Sequence, residues 1–282
     1  MKLVRFHRNS KISLGVLTNN ASSVVDLSNV APAGDSMSAA LAAGSAFLGD
    51  AQRLMREGEQ ISLSAVDLLQ PVHDPDKILC IGQNYRDHCE EQNQPLPTSP
   101  ILFAKYSNTI TAPNGVIKLP GISEQIDYEA EMAVVIGKTA KNLDVQHALA
   151  AVAGCMCAND VTARDIQKGD KQWVRGKSVD TFFPIGPWLV TQDEVGDMHD
   201  LDIWCKVNGV VMQMSNTKNL VFNVAQIIAH LSQTITLQPG DIISTGTPGG
   251  VGVYRTPPVF LKSGDTVEVG IEKLGVLENH VE

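Results

Sequence analysis

The sequence predicts an α+β fold that is mainly β, with a small N-terminal β+α lobe (1–70) ahead of a larger body (71–282). Three observations lead there. Apolar runs of four to eight residues, rich in Val and Ile and bounded by Gly, Pro, Asn and Asp, recur along the whole chain. Helical periodicity is confined to a few segments. Strands and helices do not alternate as regular βαβ units, which argues against a TIM barrel or a Rossmann sheet. At 282 residues the chain is long enough for one large core with a smaller one attached.

Composition narrows the function classes. Twenty-two basic residues against 31 acidic ones give a formal charge of −9, which disfavours nucleic acid and anionic membranes as partners. No apolar run approaches the ~18 residues of a membrane span. Met1-Lys2-Leu3-Val4-Arg5-Phe6 enters a strand at once with no leader ahead of it, so the expected location is cytoplasmic. Five scattered cysteines make no disulfide framework. Cys155-Met156-Cys157 lacks a second Cys/His pair at finger spacing, and reads as part of a buried strand.

In chain order, residues 2–7, 12–17 and 23–27 read as strands joined by polar turns. Ser36 to Glu57 reads as one helix stopped by Gly58. Pro71-Val72-His73-Asp74-Pro75 suits a linker. Lys77 to Gly82 is a strand leading into a short polar helix or lid over 84–97, closed by Pro95 and Pro97. Within it His88 and Glu91 are neighbours on one helix face, where a carboxylate fixes the imidazole tautomer and raises its basicity. That pairing suits activation of a water, although many such pairs are only solvated helix charges.

Asp127-Tyr128-Glu129-Ala130-Glu131-Met132-Ala133-Val134-Val135-Ile136-Gly137 carries the strongest chemical signal. It reads as a buried strand, and alternation places Glu129 and Glu131 on one face above Ala133 and Val135. Two carboxylates roughly 7 Å apart repel by about 2–3 kcal/mol at an effective dielectric near 20. An apolar strand tolerates this if a cation lies between them; the alternative is a solvated edge-strand end. A helix capped by Asp144 then covers Val145 to Ala153. The strand Cys155–Asn159 ends at Asp160, which offers a third oxygen. Three carboxylates without His or thiolate suit Mg²⁺ or Mn²⁺ better than Ca²⁺ or Zn²⁺.

Gln167 to Lys177 reads as a positively charged loop in an acidic protein. It is either simply solvated or uses Lys177 to offset negative charge near the metal or bind an anionic substrate. Asn208-Gly209 between alternating segments is the clearest hairpin signal. Phe222 to Leu231 reads as a core-packing helix. The loop Thr245-Gly246-Thr247-Pro248-Gly249-Gly250-Val251-Gly252 matches no nucleotide fingerprint and has no helix after it. Its backbone amides and Thr247 suit close approach to a small ligand instead.

Together, Gly82-Gln83-Asn84-Tyr85 with His88 and Glu91, Glu129-x-Glu131, Asp160-x-x-Ala163-Arg164-Asp165, Lys177 and Thr245-Gly246-Thr247-Pro248 resemble the fumarylacetoacetate hydrolase family from about residue 75 onward. The run Val251 to Lys262 resembles the subgroup called fumarylacetoacetate hydrolase domain-containing protein 2. The resemblance implies a mixed β-roll or sandwich, usually a homodimer. It implies Glu129, Glu131 and Asp160 as Mg²⁺/Mn²⁺ ligands, His88 and Glu91 as the water-activating pair on a lid, and Lys177 as the active-site lysine. Tyr85, Arg164, Gln167 and Thr247 fall at substrate-contact positions.

The leading expectation is hydrolysis of a C–C bond in a 2,4-dioxo acid, of the acylpyruvate, fumarylpyruvate or diketo-sugar-acid type. His88, oriented by Glu91, would activate water, and Lys177 would face the pyruvate enolate that leaves. Tautomerisation or decarboxylation of oxaloacetate at the same site is the alternative. A catalytically inert metal-binding scaffold is a third reading, whose mark would be a missing base or lysine; both are present.

Overall fold

A computed structural model describes residues 1–282. The N-terminal region holds β1 (Lys2–Arg8), β2 (Lys11–Leu17), β3 (Ser23–Asp26), α1 (Met37–Ala42), α2 (Ser45–Glu57), β4 (Gln60–Ser62) and β5 (Asp67–Leu69). Next come β6 (Ile78–Gly82), α3 (Arg86–Glu91), β7 (Ile101–Lys105), β8 (Ile110–Thr111), β9 (Val116–Ile117), β10 (Ile126–Asp127) and β11 (Ala130–Ile136). They are followed by α4 (Val145–Ala148), β12 (Val152–Asn159), β13 (Thr162–Ala163), α5 (Arg164–Asp170), α6 (Val174–Lys177), β14 (Phe183–Thr191) and α7 (Gln192–Val195). The chain closes with β15 (Asp202–Val207), β16 (Val210–Asn216), α8 (Val224–Ser232), β17 (Ile242–Ser244), β18 (Thr266–Ile271) and β19 (Gly275–Val281).

These strands build a mainly β, mixed α+β sandwich. The large sheet runs β4-β3-β2-β1-β14-β12-β11-β17-β6-β7, with β5 paired to β1 and β8 to β14. A second sheet runs β16-β15-β18-β19-β9, and β10 pairs with β13. Strand β11 lies near the middle of the large sheet and is buried over its whole length, which is why its sequence is continuously apolar apart from Glu131. Met132, Val134 and Ile136 face the second sheet and α8, where they meet Ile203, Val269, Leu277 and Ile228. Ala133 and Val135 face the other way, into a cluster with Phe183, Leu189 and, from α1 and α2, Met37 and Phe47. Each large aliphatic side chain so buried contributes about 1.5–3 kcal/mol, so β11 is pinned from both faces.

Local chemistry explains most element ends. Asn208 and Gly209, at φ 51° and 77°, form the two-residue turn between β15 and β16 that a type I′ hairpin requires. Asn223 caps α8 through a capping box with Gln226. The single helix read over Ser36–Glu57 is two, because Gly44 at φ 63° breaks it between α1 and α2. Asp144 does cap a helix, but only four residues follow before a 3₁₀ turn, and β12 already starts at Val152. The loop read over Gln167–Lys177 is also corrected: it falls in α5 and α6, separated by Lys171 in the left-handed region. Their packing is tight, since a Cβ on Gly176 would lie 2.7 Å from the Gln167 nitrogen. Cys155 and Cys157 sit buried in β12, as the sequence suggested.

Candidate active site

The site grows from β11 and the strands on either side of it. β12 pairs antiparallel with β11, matching Ala130 to Asn159, and β17 pairs on the other edge, matching Ala133 to Ser244. The Asp160 amide donates to the Glu129 carbonyl at 2.9 Å, so the end of β12 delivers its aspartate beside the glutamates. Carboxylate oxygens of Glu129, Glu131 and Asp160 lie within 4.8 Å of one another, and all three residues are buried. Beyond β17 the chain turns back over the site, and Glu131 Oε2 accepts from the Gly246 amide at 2.9 Å and from the Ser244 hydroxyl.

Cations surround two of the three carboxylates. Lys177 Nζ bridges Glu129 Oε2 and Asp160 Oδ2, at 2.7 Å each. Lys105 Nζ donates to Asp160 Oδ1 at 2.6 Å and to the Val161 carbonyl at 3.1 Å. Arg164 Nε donates to Asp127 Oδ2 at 2.8 Å. Its Nη2 lies 2.5 Å from Glu129 Oε1 as an ion pair, without hydrogen-bond alignment. Burial opposes the Glu129 charge, but Lys177 and Arg164 outweigh it and hold the carboxyl down at about 2. Glu131 has no cationic partner in contact, and burial together with Asp160 and Glu129 pushes its carboxyl well up. An all-oxygen donor set with one uncompensated buried carboxylate fits a hard divalent cation, which would supply the missing positive charge. The residues present therefore suit a divalent metal.

The His88–Glu91 pair is in place on α3. His88 Nδ1 lies 3.1 Å from Glu91 Oε2, while Glu91 Oε1 accepts from the Gly250 amide at 2.9 Å. A neutral His88 donating from Nδ1 keeps Nε2 as its basic nitrogen. Polar groups anchor this segment to the rest of the fold. Asn84 Nδ2 donates to the Phe222 and Thr245 carbonyls at 3.0 and 2.7 Å, and its Oδ1 accepts from the Phe222 amide at 2.8 Å. Asp87 accepts from the Ser215 hydroxyl.

A cavity of about 180 Å³ opens on these groups. His88, Glu129, Glu131, Arg164, Gln167, Lys177 and Thr247 line it, so most of the candidate residues converge. Asp160 completes the carboxylate cluster from beneath, and Glu91 stands behind His88. Tyr85 does not reach the wall: it is fully buried and its hydroxyl has no hydrogen-bond partner. Sequence reasoning missed Lys105, Asp127, Gln83, Gln92, Phe103, Trp173 and Tyr254. For Asp127 the signal was available, because the alternation that selects Glu129 and Glu131 selects it too. It accepts from the Tyr128, Gly252 and Val253 amides as well as Arg164. Gln83, Gln92, Trp173 and Tyr254 lie inside stretches already singled out, with nothing local to mark them individually, whereas Phe103 and Lys105 lie on β7, outside every motif.

Residues 77–282 match the sequence profile described as fumarylacetoacetate (FAA) hydrolase C-terminal. The chain belongs to the fumarylacetoacetate hydrolase family. Its similarity to the Bos taurus protein named oxaloacetate tautomerase FAHD2A, mitochondrial, is 48% identity over all of this chain and 91% of that one. Among solved structures, fumarylacetoacetate hydrolase from Exiguobacterium antarcticum superposes with a TM-score of 0.91 at 36% identity, over 100% of this chain and 99% of that chain. Maleylpyruvate hydrolase from Sphingobium sp. SYK-6, in complex with manganese(II) and pyruvate, does so with 0.83 at 29%, over 100% and 98%. The fold read from sequence is thus the fumarylacetoacetate hydrolase fold, and the domain-containing protein 2 subgroup is the right one. One expectation is corrected. Relatives of this subgroup are named as mitochondrial, which overturns the cytoplasmic location read from the N-terminus.

Proposed function

We propose that this family member is an oxaloacetate keto–enol tautomerase. The observation that carries this reading is the 48% identity, over the full chain, to a relative named for that activity, against 36% and 29% to the two solved structures named as hydrolases. The cavity supports it. At about 180 Å³ it falls below the ~300–1,000 Å³ typical of sites for drug-sized ligands, and Arg164 and Lys177 on its wall suit a small dianion.

Arg164, Gln167 and Thr247 hold the carboxylate and 2-oxo end of the substrate. His88 Nε2 takes a proton from C3 while Glu91 stabilises the imidazolium that results. The Lys177 ammonium faces the oxygen on which negative charge develops. The same proton is delivered to that oxygen to give the enol, so no bond between heavy atoms breaks and no water is consumed. We infer that Glu129, Glu131 and Asp160 hold Mg²⁺ or Mn²⁺, which when bound supplies Lewis-acid stabilisation of the developing enolate charge.

Hydrolysis of a 2,4-dioxo acid is the second reading, favoured by the His88–Glu91 pair, which could equally deprotonate a water. The homodimer and the division into a supporting lobe (1–70) and a catalytic portion (71–282) belong to the same proposal; all the site residues named lie beyond residue 71. The deciding experiment follows the ultraviolet absorbance of enol-oxaloacetate with the Mg²⁺-loaded protein, alongside pyruvate release from acylpyruvates. Accelerated ketonisation lost in H88N is the expected result. Pyruvate release without any acceleration of ketonisation would replace the first reading with the second.

A further inference from the structure

Gln213, on β16, is buried at 1% exposure and bridges two parts of the site that are far apart in sequence. Its Oε1 accepts from the Ala130 amide at 2.9 Å, the amide that stands between Glu129 and Glu131. Its Nε2 donates to Thr247 Oγ1 at 2.8 Å and to the Pro248 carbonyl at 2.9 Å. These directions follow from chemistry. A backbone N–H can only donate, so the amide oxygen faces Ala130 and the NH₂ group faces Thr247. Thr247 Oγ1 is therefore an acceptor in this contact, and its own O–H must point elsewhere. Thr247 is 4% exposed, lines the cavity and makes no other side-chain hydrogen bond.

We propose that Gln213 is a positioning residue that fixes the Thr247 hydroxyl as a donor aimed at an anionic oxygen of the bound 2-oxo acid. By holding the Ala130 amide with its other end, Gln213 sets that donor relative to the carboxylate cluster. Were the amide replaced by an acceptor, the hydroxyl proton would turn toward it, and Thr247 would present lone pairs to an anion. The inference rests on the cavity receiving a 2-oxo acid, but not on which reaction follows.

The test is calorimetric titration of oxalate into Mg²⁺-loaded wild type, T247S, T247V, Q213E, Q213M and the Q213E/T247V double variant at pH 8, with melting curves to confirm folding. A hydrogen bond to a charged group corresponds to about a 10- to 100-fold change in affinity. T247V is expected to lose that factor, and T247S to bind like wild type. Q213E should lose as much as T247V, and the double variant no more than either single one. Q213M, which leaves the hydroxyl free to rotate toward the ligand, should lose less than Q213E. Three outcomes overturn the proposal: T247V binding oxalate as wild type does, Q213E weakening binding by its full factor in the T247V background, or Q213M losing as much as Q213E. If Q213E does not fold, T247S against T247V still decides, and Q213M is read against T247V: a loss as large as that of T247V overturns the proposal. Wild type that shows this pattern yet fails to accelerate ketonisation would sink the tautomerase reading and leave Gln213 in its role.

Discussion

Asp127→Asn is the most telling single change, because it exchanges one heavy atom at nearly constant volume. Asp127 is fully buried. Oδ1 accepts from the Tyr128 and Gly252 amides at 2.9 and 2.7 Å; Oδ2 accepts from Arg164 Nε and the Val253 amide at 2.8 and 3.0 Å. An asparagine can keep its carbonyl oxygen toward the first pair, but its NH₂ group then faces two donors. Breaking a buried ion pair costs about 3–5 kcal/mol, and Arg164 retains Glu129, which places the loss near the low end, at about 3 kcal/mol. Burial pushes the Asp127 carboxyl up against the pull of Arg164, so removing the charge relieves a small part of that loss. For a chain of this size about 2 °C of melting temperature accompanies each kcal/mol, giving a drop of about 6 °C. The loosened groups are Arg164 and the Val253–Tyr254 turn, both at the cavity, so oxalate binding should weaken alongside. Differential scanning calorimetry and oxalate titration read both effects. A melting temperature within 1 °C of wild type, with unchanged oxalate affinity, would refute the reasoning.

Three further outcomes are expected. E131Q removes a buried charge opposed by Asp160 and Glu129, so the metal-free protein should melt no lower than wild type while the rise in melting temperature on adding Mg²⁺ disappears; a retained Mg²⁺ response counts against the carboxylate site. G82A places a Cβ 2.4 Å from Trp173 Cζ3, and Trp173 sits edge-on against Phe103 at 5.3 Å, so it should cost about 1–3 kcal/mol and shift tryptophan fluorescence. An unchanged urea midpoint would contradict that packing. Burial pushes the Cys155 and Cys157 thiols up to about 12, and all five cysteines are free and buried, so a thiol reagent at pH 8 should label none before unfolding and five after. Rapid labelling of the native protein at either of these positions would show the β12 environment to be wetter than described.

How much could be read in advance depended on the range of the interaction. Glu129 and Glu131 were legible because strand alternation is a two-residue rule, and the structure keeps it through Ala133 and Val135. Asp160 was legible because it ends an apolar strand. Lys105 was not: it closes β7, 55 residues before the aspartate it contacts, and nothing in Ile101-Leu102-Phe103-Ala104 foretells the meeting. Gln213 likewise sits in an edge strand between exposed Val211 and Met214 and a buried Met212, with no pattern to mark it. The lengths of α5 and α6 were hidden for another reason. Segments of seven and four residues are too short for an apolar period to show, and they hold through packing such as that at Gly176.

The carboxylates are rooted at the heart of the large sheet, with Glu131 on β11, Glu129 just ahead of it and Asp160 just beyond β12, whereas His88, Trp173 and Tyr254 reach the cavity from segments outside that sheet. A slip of β11 by one residue would exchange its two faces and destroy both hydrophobic clusters at once, so the ionic heart of the site resists drift as strongly as the fold does. The segments outside the sheet answer to no such constraint. Exchange of residues there could redirect the scaffold from proton shuffling to bond scission, or toward bulkier acids, while its electrostatic engine stays untouched.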